Sequence, residues 1–428
     1  MMRKIIYAII AIFIICACGE DRTYEYLEIT RENQWTFAKM NEVYLWNDSI
    51  KKPSRKNFFG DSNSFFSSLL QRGDRFSYST DSVTSAGYGF DFALMRDPLG
   101  KQNSKYYAMV LFVEPGSPAD EAGLKRGTWI SKVGRNSLNS GNYGYLQRGG
   151  ATEFYTSRIV LDEESMLYTW QNSDTLQVPA ARVTPQTCMY LDTVYSMRGR
   201  NIGYVVCNRF DAGGEDAILD AMSSFASEGV SDLIVDLRYC TGGSMAVASN
   251  VASAILPQRC AGETFCGLIY NAYSSDSDTL YTVEPSQTLG LEKVYFICGE
   301  STRGAAEAMI AAARNILGYN NAVVVGETTY GEYVMTETFE SPYGFSISPA
   351  VAFVEVGNSS LSYGIEPNYM LNELADFYTV YSLGSTQEYM LYSTMYLIAN
   401  GKMPYSGEYS ALPVVKQNAP CRGKAIIR

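Results

Sequence analysis

The chain has no histidine among its 428 residues. That absence excludes Ser-His-Asp and Cys-His catalysis, and every metal site that needs an imidazole. A serine hydrolase built on this chain has to take its base from lysine. Basic residues are outnumbered by acidic ones, 34 to 45, for a formal charge of −11. This balance argues against nucleic acid and against an anionic membrane surface as partners. Cys-x-x-Cys pairs are missing, and no run after the N-terminus is apolar and long enough to span a bilayer. No motif calls for a metal or a cofactor.

What is present starts with an address. Met1-Met2-Arg3-Lys4 is a short basic region, followed by an apolar run over 5–15 and by Ile15-Cys16-Ala17-Cys18-Gly19. That pattern reads as a lipobox, with 1–17 as signal peptide, Cys18 as the acylated residue and 18–28 as a tether. An ordinary signal peptide cut elsewhere is the alternative. The expected location is the outer membrane of a Gram-negative bacterium, on its periplasmic or cell-surface face, with the membrane engaged only through the acyl anchor. Beyond Cys18, Cys207 and Cys298 lie in apolar runs and read as small core residues. Cys260 and Cys266 either close a local disulfide or stay as two thiols.

Periodicity divides the remainder. Over 29–80, Trp35, Met40, Val43 and Tyr44 recur at helical spacing and predict a small helical cap. Residues 81–165 resemble a PDZ domain, chiefly in Gly116-Ser117-Pro118-Ala119-Asp120-Glu121-Ala122-Gly123-Leu124. There Ser117 suits a helix N-cap and Pro118 the first helical position. Upstream, Gly87-Tyr88-Gly89-Phe90 resembles a carboxylate-binding loop, in which glycines let backbone N–H groups face a peptide C-terminus; a plain hairpin loop is the alternative. Residues 166–200 are polar and read as an irregular connector. From 201 to 402, strand-like runs alternate with helical ones, which predicts a largely parallel sheet flanked by helices. Residues 403–428 read as a tail.

Four segments of that core occur in a telling order: Asp236-Leu237-Arg238-Tyr239-Cys240-Thr241-Gly242-Gly243, Thr302-Arg303-Gly304-Ala305-Ala306-Glu307, Gly326-Glu327-Thr328-Thr329-Tyr330-Gly331-Glu332, and Gly364-Ile365-Glu366-Pro367-Asn368. They resemble the C-terminal processing (tail-specific) serine peptidases, in the lipoprotein branch with an N-terminal helical cap and a PDZ domain. The resemblance implies a multidomain α/β protein: a crotonase-like α/β core, an inserted PDZ-like β domain and the small cap. It places the family's nucleophile position on Gly304, its lysine base on Glu332 and the assisting residue on Thr336. Oxyanion donors would be the N–H groups of Gly242, Gly243 and Ala305. Glycine supplies no nucleophile, and a carboxylate cannot do the work of a desolvated lysine amine.

The resulting expectation is an inactive relative that binds peptide or unfolded protein C-termini through Gly87, Tyr88, Gly89 and Phe90. Two alternatives stand beside it. One is an active peptidase with a rerouted nucleophile, Ser301 or Cys240. The other is a scaffold in a surface nutrient-capture complex, for which the 33 tyrosines suit binding surfaces and equally suit a core. Glu332 reads as a solvated loop carboxylate, or else as the partner of Arg303.

Overall fold

The computed structural model describes residues 23–81, 87–101, 105–180, 183, 187–285, 289–375, 377–378, 380–404 and 414–418. The 1–17 leader, Cys18 and most of the 403–428 tail lie outside the described residues. No helix among the described residues is long and apolar enough to cross a membrane. The chain divides into two compact units. The first comprises Met1–Ser82, Asn271–Ser274 and Thr336–Val351, and the second the rest.

The first unit is built on helix α1 (Thr23–Val43) and helix α2 (Ser62–Leu69). Helix α1 starts inside the stretch expected to be a tether. Asp61 caps α2 by accepting the Ser64 N–H at 2.8 Å. Met40, Tyr44, Phe65, Phe66 and Leu69 are buried. Tyr44, Phe65 and Phe66 are therefore core, whereas Trp35 is half-buried and Phe59 exposed. Strand β1 (Tyr78–Asp81) pairs antiparallel with β17 (Phe345–Ser348), which pairs with β16 (Phe339–Glu340). Two of these strands come from the range assigned by sequence to the peptidase core. Pairing at such sequence separation leaves no local signal.

The second unit has a six-stranded central sheet in the order β19-β14-β13-β10-β9-β8. Its members are β8 (Met189–Met197), β9 (Arg200–Cys207), β10 (Asp232–Asp236), β13 (Val294–Cys298), β14 (Ala322–Gly326) and β19 (Tyr369–Met370). All pairings are parallel except the β8 edge. Helices α4 (Ala212–Ser227), α5 (Met245–Ile255), α6 (Ala305–Leu317) and α7 (Tyr389–Asn400) accompany it. The fold is mixed α/β with several sheets. A smaller sheet joins β12 (Thr279–Thr282), β11 (Thr264–Tyr270), β18 (Ala350–Glu355) and β15 (Val334–Thr336).

The segment resembling a PDZ domain forms an antiparallel sheet, ordered β20-β2-β3-β4-β6-β7, with β5 (Asn136–Ser137) paired to β4. The strands are β2 (Phe90–Arg96), β3 (Tyr106–Val113), β4 (Trp129–Val133), β6 (Thr152–Asp162), β7 (Leu167–Val178) and β20 (Val414–Asn418). Along β3, Tyr107, Met109 and Leu111 enter one apolar cluster with Ile202 and Ile234, while Ala108 and Val110 enter a second with Phe92 and Phe154. Burial of both faces explains why this strand is apolar throughout instead of alternating. Helix α3 (Pro118–Glu121) is capped as its sequence suggests, with the Ser117 hydroxyl accepting the Asp120 N–H at 3.3 Å and Pro118 in the first turn.

The connector expected over 166–200 is instead ordered β structure, comprising β7 and β8. Strand β7 continues the sheet through a long hairpin with β6, from Asp162↔Leu167 to Thr152↔Val178. Most of its residues are exposed on both faces, so it lacks the apolar alternation that would have marked it. All the described cysteines, Cys260 and Cys266 included, are free and buried. The disulfide alternative for that pair is not realised.

A buried ionic cluster ties these sheets together. Arg238, directly after β10, grips Asp236 through Nε at 3.0 Å and Nη2 at 2.8 Å. The same guanidinium reaches both oxygens of Glu388 at 2.8 and 3.0 Å. Glu388 also caps α7 by accepting the Leu391 N–H at 2.9 Å. Arg126, in the turn after α3, reaches Glu373 at 2.6 Å and donates to the Leu111 and Tyr381 carbonyls at 2.6 and 2.9 Å. Tyr204 donates to Asp236 at 2.8 Å, and Tyr239 donates to Glu373. Burial disfavours the charge on Glu388, but Arg238 and Arg126 override it and hold the carboxyl down at about 2.

Removing one member of a buried pair typically costs about 3–5 kcal/mol. Glu388→Gln is expected to lose stability of that order in urea unfolding at pH 7. The folded-state pKa of Glu388 lies below its ordinary 4.5, so its contribution is full above 4.5 and is lost as pH falls through about 2. The gap between wild type and variant should therefore close over that acid window.

Candidate functional site

Two loops at the C-terminal ends of the parallel strands form the site. After β10 the chain turns through Gly242 and Gly243, with φ of +97° and +125°, into α5. A Cβ on Gly243 would come within 2.7 Å of the Phe210 backbone, so this position requires glycine. Phe210 N–H donates to Gly242 O at 2.9 Å, and Ser244 N–H donates to Phe210 O at 2.7 Å. After β13, the Thr302 hydroxyl donates to Leu237 O at 2.7 Å and accepts the Gly299 N–H at 3.0 Å. Arg303 N–H donates to Cys240 O at 3.1 Å. These bonds stitch one loop to the other.

Gly304 is the N-cap of α6, with φ +58° and ψ −120°. A Cβ built there would lie 3.0 Å from Glu332 Oε2 and 3.5 Å from Gly242 Cα. Positions 304 and 332 therefore face each other across one small space. Non-glycine residues rarely hold a positive φ, and where they do the strain marks a function. Here glycine occupies such a conformation without that strain.

Glu307 holds the third loop in place. Its fully buried carboxylate accepts the N–H groups of Gly304 at 3.2 Å, Gly331 at 2.7 Å and Glu332 at 2.8 Å, and the Thr329 hydroxyl. Thr329 Oγ1 in turn accepts the Ile365 N–H at 2.7 Å. Gly364 belongs to the same support, since a Cβ there would meet Thr329 O at 2.2 Å. Asn368 keeps an acceptor role, taking the Val324 N–H at 2.8 Å and Arg314 at 2.7 Å. Burial pushes the Glu307 carboxyl up to about 7, with the Glu332 carboxylate adding to the rise and the hydrogen bonds opposing it.

Both expectations for Glu332 need correction. Glu332 is not a solvated loop carboxylate, being only 4% exposed. Nor does it pair with Arg303: among the described residues Arg303 enters no ion pair, and its guanidinium lies 5.1 Å from the Tyr330 ring centroid instead. Thr336 closes β15 and falls to the first unit. Cys240 is fully buried, with Sγ 3.9 Å from Gly242 O. Ser301 sits half-buried in the turn before α6. Lys293 precedes β13, at the opposite end of that strand, with its ammonium 5.3 Å from the Tyr295 ring centroid.

Among the described residues, the N–H groups of Gly242, Gly243 and Ala305 donate to no protein acceptor. Ala305 opens a 13-residue helix, whose dipole favours negative charge at that end. Gly304, the residue before Ala305, carries no side chain. In the antiparallel sheet, Tyr88 and Phe90 are buried core side chains, and the Tyr88 hydroxyl donates to Gly150 O at 2.7 Å. Only the backbone of the 87–90 loop is left for a ligand. Gly89 has φ +85°, and a Cβ on it would meet the Ser117 Cβ at 2.2 Å. The N–H groups of Gly87, Tyr88 and Gly89 find no acceptor among the described residues.

The model of peptidase family S41 matches residues 201–371, and that of the S41 N-terminal domain matches 31–78. The chain belongs to peptidase family S41. A crystal structure described as an S41 protease of Bacteroides fragilis NCTC 9343 superposes with a TM-score of 0.75 at 25% identity, over 86% of this chain and 97% of that one. A carboxyl-terminal-processing protease of Picosynechococcus sp. is 24% identical over 58% of this chain and 56% of its own length. The carboxy-terminal processing protease CtpA of Bacillus subtilis is 24% identical over 64% of this chain and 56% of its own. The chain thus spans little more than half the length of these curated relatives.

Sequence reasoning quoted Glu307 within a motif but gave it no task. Its only signal was a lone acid in the first turn of an alanine-rich helix. Its raised pKa means the fold favours the protonated form, so its stabilisation is full below 4.5 and is lost as pH rises through about 7. Glu307→Ala leaves three buried N–H groups unsatisfied, at about 1–3 kcal/mol each. Urea unfolding should show a loss of roughly 3 kcal/mol or more, larger at the acid end of that window than at its neutral end.

Proposed function

We propose that this S41 family member does not hydrolyse peptide bonds but holds extended peptide or unfolded protein C-termini. The antiparallel sheet acts as a PDZ-type receptor, and acylated Cys18 tethers the protein at the outer membrane. One observation carries the reading: Gly304 and Glu332 stand 3.0 Å apart, measured from the missing Cβ, where the resemblance puts nucleophile and base. The positions are adjacent and neither functional atom exists. Remaining oxyanion donors supply only about 10³–10⁴-fold over water in enzymes stripped of their triads, too little for useful proteolysis.

Peptide capture rests on backbone chemistry. The N–H groups of Gly87, Tyr88 and Gly89 find no acceptor among the described residues and suit a carboxylate, and β2 leaves that loop as a strand able to pair with an extended chain. The relatives' description as carboxyl-terminal-processing proteases agrees with a ligand of this class.

Mass-spectrometric digests of unfolded substrates should find no cleavage by the wild type. The double variant Gly304→Ser, Glu332→Lys should gain cleavage at least about a hundredfold above that background. Wild-type cleavage abolished by Ser301→Ala or Cys240→Ala would overturn the proposal. In fluorescence anisotropy, peptides with a free C-terminal carboxylate should bind at least about tenfold tighter than their amides. Gly87→Pro, which deletes one loop N–H, should narrow that margin.

A further inference from the structure

The edge of β2 is already occupied. Strand β20 (Val414–Asn418) pairs antiparallel with it, with Phe92 opposite Asn418, Ala93 opposite Gln417, Leu94 opposite Lys416 and Met95 opposite Val414. The other edge of β2 is taken by β3, so β20 covers the one edge a peptide could join. Its polarity matches that of a captured peptide. Because the pairing is antiparallel, β20 runs toward the start of β2 and hence toward the 87–90 loop.

We infer that Val414–Asn418 is a resident pseudo-ligand of the peptide groove, which an incoming peptide must displace. The inference rests on the reading above that this groove takes extended peptides, and it adds what guards the groove and which chemistry competes. A strand edge offers one row of N–H and C=O groups, so two strands cannot pair with the same residues at once. Among the described residues β20 has β2 as its only strand neighbour, and such a one-sided pairing is weak enough to exchange. A resident segment lowers the apparent affinity of an external peptide by the fraction of molecules whose groove is open. The segment also describes the favoured ligand. Val-Val-Lys-Gln-Asn is β-branched at its start, carries one cation and contains no acid. The competing class is therefore an extended, non-acidic, valine-bearing stretch of chain.

The test compares the full chain with its Val415→Pro, Lys416→Pro double variant. Neighbouring N–H groups along a strand point to opposite sides, so this pair removes whichever one faces β2. Hydrogen exchange at those of the Phe92–Met95 amides that face β20 should accelerate at least tenfold in the variant. Unchanged exchange there would overturn the inference without touching the peptide-binding reading. A fluorescein-labelled Val-Val-Lys-Gln-Asn peptide should bind the variant at least tenfold more tightly than the wild type, by the same factor at every protein concentration. Equal affinity for both forms would overturn the guard. A factor that grows with protein concentration would assign the segment to a neighbouring copy and overturn the inference too. Binding to neither form, with exchange still accelerated, would sink the peptide-receptor reading and leave only a stabilising strand.

Discussion

The structure of the larger unit depends on two guanidinium groups withdrawn from water. Arg238 is 1% exposed, and its fork is filled by Asp236 and Glu388 with Glu373 close by. Arg126 shares Glu373 and Glu388. Such a cluster is costly to bury and tolerates little displacement, because each charge relies on several partners for its solvation. Its geometry has consequences at short range. Arg238 lies in the turn that leads to Gly242 and Gly243, Glu388 starts α7, and Arg126 belongs to the turn after α3 in the antiparallel sheet. The loops of the candidate site thus hang from an electrostatic knot that is not itself part of the chemistry.

Against this rigid background the site has changed sign. A serine–lysine pair would place a proton acceptor and a nucleophile between loops held by backbone N–H groups. In their place are an absent side chain at Gly304 and the carboxylate of Glu332, close to a second, fully buried carboxylate, Glu307. Burial and like charge together raise the Glu307 pKa toward neutrality. The surroundings that position an active site persist, including the Thr302 bridge, the Gly242–Gly243 turn and the first turn of α6. The family is therefore legible from the frame, while the activity has to be argued from single residues.

Much of this frame was legible in sequence. The helices of the core, its buried parallel strands and the capping of α3 by Ser117 all follow from local periodicity and turn chemistry. The adjacency of Gly304 and Glu332 followed only from motif order. Strand β7 was not legible, because a strand wet on both faces carries no alternation. The short strand β20 was missed for a related reason: its pairing is with residues more than three hundred positions earlier, and nothing local announces it.

The sequence by itself determined that imidazole chemistry is unavailable, since the chain has no histidine, and that positions 304 and 332 carry glycine and glutamate. It also determined the α/β class, through buried apolar runs that alternate with helical ones. The tertiary structure decided the environment of what remains. It buried Glu332 against Gly304, turned Arg303 to Tyr330 instead, gave Glu307 three backbone donors to hold, and laid β20 along β2. Residue identity is local, but burial and partnership are properties of space, and charges and strand edges take their meaning from the groups the fold brings beside them.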